Sequence, residues 1–294
     1  MFTFEFDPIA FRVPYLELDI RYYGLTFALG IYFSYYILSR LIKTVYAESN
    51  EKLNTNYNFT IEKKLTDKYI DKLLIFMLIG IIVGARAASL FFYEDTSVMS
   101  WYDIINLRAG GLASHGGVFG ASMMVLIFHY LNGHILTVDE KPLTHFQLFD
   151  LLALSCFPLL SFIRIGNFIN AEVLGTPTTV SWAVYFESLE HTLHNVLAPR
   201  HPVQIYESVL YLSVGSYFLY DWIYNKNKRG YGFYVSAIFF CDFFGRFLLE
   251  FVKADPRFYS LTTTQWLTIG LSTLSLLIIL LQKYSTFKSK QRMV

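Results

Sequence analysis

The segment Arg164-Ile165-Gly166-Asn167-Phe168-Ile169-Asn170-Ala171-Glu172 closes a long apolar run with a cation, two amides and a carboxylate. An ionisable side chain at the centre of a bilayer costs roughly 2.5 to 3.5 kcal/mol on insertion scales, and those that persist usually face a cavity, a partner or a substrate. A guanidinium offers a planar fork of donors suited to phosphate or carboxylate. The same residue types recur inside or beside other apolar runs: Tyr23, Arg86, His115, Gln204, Tyr206, Glu207, Arg246 and Glu250. Together they offer cations to grip an anion, and an imidazole able to move a proton near neutral pH.

The elements that carry these residues follow from composition. The chain has 294 residues, 54% hydrophobic, 18% aromatic and only 16% charged, against about 25% charged in an average soluble domain. Apolar runs near the ~20 residues needed to cross a bilayer repeat along it, and backbone in hydrocarbon must bond internally, which favours helices. Seven spans are predicted: Tyr22 to Ile42, Ile70 to Tyr93, Leu112 to Leu131, Phe146 to Ile165, Gln204 to Ile223, Tyr231 to Val252 and Thr264 to Leu281. The third, with Ser114, His115 and several glycines, has the weakest hydropathy. The expected fold is all-α, a polytopic helical bundle over 1–294.

Charge sets the expected orientation. On an alternating seven-span path, Lys43, Lys52, Lys63, Lys64, Lys68, Lys141, Lys226, Lys228, Arg229, Lys283, Lys288, Lys290 and Arg292 fall on one side. Arg12, Arg21, Arg108, Arg200, Lys253 and Arg257 fall on the other. The positive-inside rule then places the amino terminus outside and the carboxyl terminus in the cytoplasm. The segment 43–69, polar from Tyr46 to Asp67, is expected as a solvated cytoplasmic loop. The segment 166–203 carries Pro177, Pro199, Pro202, Trp182, Tyr185 and Phe186; it is too long for a plain linker and is expected to form a small extracytoplasmic cap.

Several function classes are excluded on the same grounds. A net charge of +1 and the lack of a basic stripe argue against nucleic acid as a partner. Cys156 and Cys241 lie inside apolar runs and read as small buried hydrophobes. No HExxH, CxxC, phosphate loop, GxGxxG or GxSxG occurs, so neither a metal nor a cofactor is expected. The opening Met1 to Leu18 lacks a basic start and a short apolar core, so cleavage of a signal peptide is not expected.

On this topology the polar residues all fall in the outer half of the bundle, a depth suited to the headgroup of a phospholipid. Plainer readings stand beside that one. Arg246 and Glu250, four apart on one helix, can pair with each other. Arg86 can pair with Glu250 or Glu207, and Arg164 can snorkel from a span end. Gly116 and Gly120 have the spacing of close helix packing. His115 reads equally as a satisfied core donor or a proton shuttle.

The motifs Tyr22-Tyr23-Gly24-Leu25, Gly84-Ala85-Arg86, Gly110 to Gly117 with Gly120, Arg164 to Glu172 with Gly175, Arg200 to Glu207, and Gly245-Arg246-Phe247 with Glu250-Phe251 follow one another in order. In this series the chain resembles bacterial prolipoprotein diacylglyceryl transferases from about Tyr22 to Leu281. The resemblance implies a seven-helix enzyme of the bacterial cytoplasmic (inner) membrane. It would move the diacylglyceryl group of phosphatidylglycerol, a membrane lipid, onto the lipobox cysteine of a prolipoprotein signal peptide, forming a thioether and releasing glycerol phosphate. It further implies that Arg164 and Arg246 hold the lipid phosphate, that Asn167, Glu172 and Gly175 shape the pocket with Arg86, and that Tyr23, His115 and Glu250 serve catalysis. Two positions depart from the family pattern: Ile163 stands where glycine is usual, and Asp242 where tyrosine is common. The alternatives are a non-catalytic lipid-binding paralogue and, further off, a small-anion transporter.

Overall fold

The computed structural model describes residues 2–16, 18–52, 59–92, 99–106, 111, 113–133, 137–138, 141–186 and 198–291. Arg108, Gly110, Leu112, Arg292, and the 53–58 and 187–197 stretches of the two predicted loops lie outside the described residues, as does the side chain of His115.

Helices dominate: α1 (Tyr22–Lys52), α2 (Phe59–Phe92), α3 (Trp101–Ile105), α4 (Ser114–Asn132), α5 (His145–Ile169), α6 (Val203–Asn225), α7 (Phe233–Leu249) and α8 (Thr263–Gln291). The stretches Tyr22–Glu48, Lys64–Phe92, His145–Ile169 and Thr263–Gln282 are long and apolar enough to cross a membrane by length and composition. Among the rest, α7 is only 17 residues long, and α6 buries Gln204, Glu207 and Asp221 within its apolar run. Large apolar side chains such as Ile75, Ile79 and Val83 on α2 and Leu274, Leu277 and Leu281 on α8 are exposed. A soluble protein seldom leaves so much apolar surface uncovered, whereas lipid solvates it. The chain is a multi-pass helical membrane protein.

The polar stretch Tyr46 to Asp67 departs from expectation. Helix α1 runs on to Lys52 and α2 begins at Phe59, so most of it is helical. Glu, Lys and Ala are good helix formers whatever their solvent, and polarity alone does not make a loop.

The chain divides into two compact units, Ser39–Leu148 on one hand and Met1–Leu38 with Phe149–Val294 on the other. In the first, α2 and α4 meet along Gly80, Gly84, Gly116 and Gly120. A Cβ on Gly120 would collide with the Gly80 carbonyl, and one on Gly84 with the Gly116 carbonyl. The glycine spacing is therefore a packing device, since only absent side chains let two backbones approach so closely. Short α3 starts with a capping box, Ser100 Oγ accepting from the Asp103 N–H at 3.3 Å and Asp103 from the Ser100 N–H at 3.0 Å. Thr144 and Gln147 make the equivalent pair at the start of α5, at 3.2 and 2.8 Å.

In the second unit, buried Asp150 of α5 accepts the N–H groups of Gly232 at 2.7 Å and Val235 at 2.8 Å. It thus caps α7 from another helix, where Gly232 itself has no side chain to do so. Pro158 lies inside α5, and the N–H of Leu159 is taken up by Ser34 Oγ of α1 at 3.2 Å. After α5 the chain makes a tight turn with Ala171 and Val173 at φ 53° and 58°. Strand β1 (Phe2–Phe4) then pairs in parallel with a later strand, Val184–Phe186. Ala171, Val184 and Phe186 form a small buried cluster with Phe4, Phe168 and Leu174 against it.

The remaining strands are short. They are β2 (Ile9–Val13), β3 (Leu18–Arg21), β4 (Thr137–Val138), β5 (Lys141–Pro142), β6 (the Val184–Phe186 strand), β7 (Arg257–Phe258) and β8 (Leu261–Thr262). The β7–β8 hairpin matters to the site, because it returns the chain from the end of α7 to the start of α8.

Candidate active site

Three segments far apart in sequence place charged groups together in the second unit. Arg164 comes from the last turns of α5 and Glu207 from the start of α6. Arg246 lies near the end of α7, while Glu250 and Lys253 occupy the turn that follows it. Glu207 is fully buried and lies at the centre. Its Oε2 meets Arg164 Nε at 2.9 Å, and its Oε1 meets Lys253 Nζ at 2.8 Å and Arg246 Nε at 3.7 Å. Lys253 also meets Glu250 Oε2 at 3.1 Å, and Glu250 accepts a hydrogen bond from Thr262 Oγ1 at 2.9 Å. A buried carboxylate needs such partners, because an unpaired charge away from water is strongly unfavourable.

A second chain of bonds leads outward from Arg164. Its Nη1 donates to Asn167 Oδ1 at 3.2 Å, and Asn167 Nδ2 donates to Glu172 Oε2 at 2.9 Å. Asn170 Nδ2 donates to Glu172 Oε1 at 3.2 Å, and Gln204 Nε2 to the Glu172 carbonyl at 2.6 Å. The left-handed residues on either side, Ala171 and Val173, turn the backbone sharply around Glu172. Tyr23 packs beside this segment, for a Cβ on Gly166 would come within 2.8 Å of its ring. Gly175 pairs with Lys253 in an isolated antiparallel bridge, and a Cβ there would collide with the His201 carbonyl.

Two further carboxyl groups flank the cluster. Asp242, one turn before Arg246, is buried and within its electrostatic reach. Burial and the adjacent Glu250 carboxylate push the Asp255 carboxyl above its ordinary value.

Of the residues singled out by sequence, Tyr23, Arg164, Asn167, Glu172, Gly175, Arg246 and Glu250 share this neighbourhood. Two pairings differ from expectation. Arg246 and Glu250 do not satisfy each other: Arg246 turns to Glu207, and Glu250 to Lys253 and Thr262. Helix α7 ends at Leu249, so Glu250 already belongs to the tighter turn that brings it to Lys253, and Arg246 takes its partner from α6. Arg164 is not a snorkelling residue, since its side chain is only 17% exposed and held from both sides.

Arg86 and His115 belong to the other unit. Arg86 engages backbone carbonyls, donating from Nε to Ile104 at 2.9 Å, from Nη2 to Asp103 at 2.6 Å and from Nη1 to Gly111 at 3.1 Å, and its charge also reaches the Asp103 carboxylate. His115 lies in the first turn of α4.

Glu207 and Lys253 are the functional-site residues that sequence reasoning left out of the binding set. The signal for Glu207 was present, because a carboxylate one turn into an apolar run raises the same question as Arg164. Lys253 looked like an ordinary loop cation, and nothing local distinguishes it.

Two cations that share one buried carboxylate, each with its side chain still partly exposed, can receive an oxyanion. The chain's relatives fit that description. The family described as prolipoprotein diacylglyceryl transferase matches residues 8–281, and this chain belongs to it. Among curated relatives, the phosphatidylglycerol--prolipoprotein diacylglyceryl transferase of Chloroherpeton thalassium is 32% identical over 270 residues, covering 89% of this chain and 88% of its own. The protein of the same name from Tolumonas auensis is 30% identical over 287 residues, covering 96% and 97%. That of Porphyromonas gingivalis is 32% identical over 258 residues, covering 85% and 81%.

Proposed function

We propose that this protein transfers the diacylglyceryl group of phosphatidylglycerol to the lipobox cysteine of prolipoproteins, in the cytoplasmic membrane of a bacterium. The observation that carries the reading is the convergence of Arg164 and Arg246, 82 residues apart, on one buried Glu207 while both side chains stay partly exposed. In the reaction a sulfur–carbon bond forms at the glycerol carbon that bears the phosphate. The carbon–oxygen bond breaks, and glycerol phosphate leaves with the electron pair. Negative charge grows on the departing phosphate, so two guanidiniums fixed beside it stabilise the transition state more than the ground state.

Asn167 and Glu172 hold the orientation of Arg164, and Gly175 keeps the chain close to Lys253 at the rim. Tyr23 and Glu250 border the same site. Arg86 is assigned to the lipid on its sequence context alone. The attacking sulfur is a thiolate, which a free cysteine seldom is at neutral pH, so its proton passes to a base. We assign His115 to that role on its sequence context alone. The pH–rate profile of His115→Asn is expected to lose its acidic limb together with most of the rate; a profile unshifted from the parent would remove the assignment.

The finer topology belongs to the same reading: seven spans, the amino terminus outside, the carboxyl terminus in the cytoplasm, and 166–203 forming a cap on the outer face. The test is direct. Purified protein is incubated with phosphatidylglycerol and a lipobox peptide, and mass spectrometry looks for a diacylglyceryl-sized increase on the cysteine. Binding of the lipid with no mass increase would favour the non-catalytic paralogue instead.

A further inference from the structure

Lys253 is the most deeply buried cation of the cluster, its side chain 3% exposed against 17% for Arg164 and 27% for Arg246. It therefore does not meet a substrate. Its ammonium lies between two carboxylates that are themselves fully buried, 2.8 Å from Glu207 and 3.1 Å from Glu250. Its backbone is fixed as well, bridging Gly175, while the next residue donates from the Ala254 N–H to the Leu174 carbonyl at 3.0 Å. A long flexible side chain loses several rotamers in such a site, and the ammonium loses its water, so its position must offset both costs.

The charges show what it does there. Without Lys253, the ion-paired set would be two guanidiniums facing two carboxylates, and the pair would cancel. A phosphodiester would then approach a site with no net attraction. With Lys253 in place, Glu207 Oε1 has a close partner of its own, and Arg246 Nε stands back at 3.7 Å rather than closing on it.

We propose that Lys253 is a positioning residue that takes up the charge of Glu207 and Glu250, so that Glu207 anchors Arg164 and Arg246 at Nε without neutralising them and the exposed part of each side chain can hold an anionic phosphodiester. This rests on the function proposed above and adds the element that offsets the buried carboxylates of its receptor. Glu207 is needed to orient the arginines, and Lys253 keeps that orientation from neutralising them.

The test is a charge-balance cycle on the full chain in nanodiscs. Three variants are made, Lys253→Met, Lys253→Arg and the double Lys253→Met/Glu207→Gln. Binding of phosphatidylglycerol is read by native mass spectrometry, the KM for lipid and peptide by turnover, and folding by thermal melting. Lys253→Met is expected to weaken lipid binding roughly tenfold or more, with the KM for the peptide unchanged. Lys253→Arg is expected to restore most of the loss.

The double variant removes one charge of each sign, so it should bind lipid better than Lys253→Met although it carries a second lesion. A merely structural lysine predicts the reverse. Parent-like lipid binding by Lys253→Met overturns the proposal. So does a double variant that fails to fold or binds no better than the single. A parent protein that binds phosphatidylglycerol but transfers nothing removes the transferase reading, while the binding series still decides the role of Lys253.

Discussion

The seam between α2 and α4 and the ion cluster around Glu207 solve opposite problems inside one membrane protein. At the seam, cohesion comes from having nothing in the way: four glycines let backbones touch, and dispersion contacts and weak backbone interactions do the rest. At the cluster, cohesion comes from groups that lipid cannot solvate, which must therefore find each other. The seam is determined by two short stretches and tolerates no added bulk. The cluster is determined by five residues on three segments, and its cohesion depends on the balance of their charges. A fold can thus keep one region rigid at low electrostatic cost, and reserve its buried charges for the place where an anion arrives.

The largest effects are expected where that reserve is removed. Arg164→Ala and Arg246→Ala should each lower turnover by about 10²- to 10³-fold, the usual cost of deleting a group that stabilises transition-state charge. The mass-spectrometric transfer assay measures this, and near-normal turnover in either variant would separate the cluster from the chemistry. At the seam the effect is on stability rather than on rate. Gly120→Leu must force α2 and α4 apart, and about 1 to 3 kcal/mol of destabilisation is expected from overpacking. Gly117→Ala is the control, because a Cβ there meets its nearest neighbour at an ordinary 3.5 Å. Thermal melting in detergent ranks them, and equal melting of both variants would show that the seam is not as tight as drawn.

The smallest effect concerns α3, which presents carbonyls to Arg86. The Ser100 hydroxyl and backbone N–H hold the Asp103 carboxyl below its ordinary value. A carboxylate lowered in the folded state stabilises above its unfolded value and loses that contribution as pH falls through the folded one. Amide exchange over residues 99–106, corrected for its intrinsic pH dependence, should therefore stay slow down to the ordinary carboxylate range and quicken below it. Asp103→Asn should flatten that step, and a step that survives in Asp103→Asn would point to another group.

The contrast also explains how much could be read before any coordinates. Gly116 and Gly120 announce a seam because their spacing is local, and a helix converts spacing into a face without further information. Arg164, Asn167 and Glu172 are legible for a similar reason, lying within nine residues of one another in an otherwise apolar setting. Arg246 and Glu250 illustrate the limit: their spacing suggests a pair, and the pairing is decided by Glu207 and Lys253, which the same spacing cannot see. Helix ends were misplaced in the polar stretch after Ile42, because the end of a span and the end of a helix are different boundaries, the first set by solvent and the second by caps and propensity. Family resemblance supplied the lipid and the thiol, which no spacing of charges could have named.

The ion pair between Arg164 and Glu207 bears on biogenesis. The ribosome makes the arginine first, and at roughly 5 to 20 residues per second its carboxylate partner follows seconds later. Lys253 and Arg246 come later still. During that interval the fourth predicted span must be handled by the insertion machinery with its guanidinium unmatched, either parked near the headgroups or shielded by the translocon. Only once Lys253 has been made can the whole set of charges settle, so the cluster is completed well after the helix that carries its first arginine.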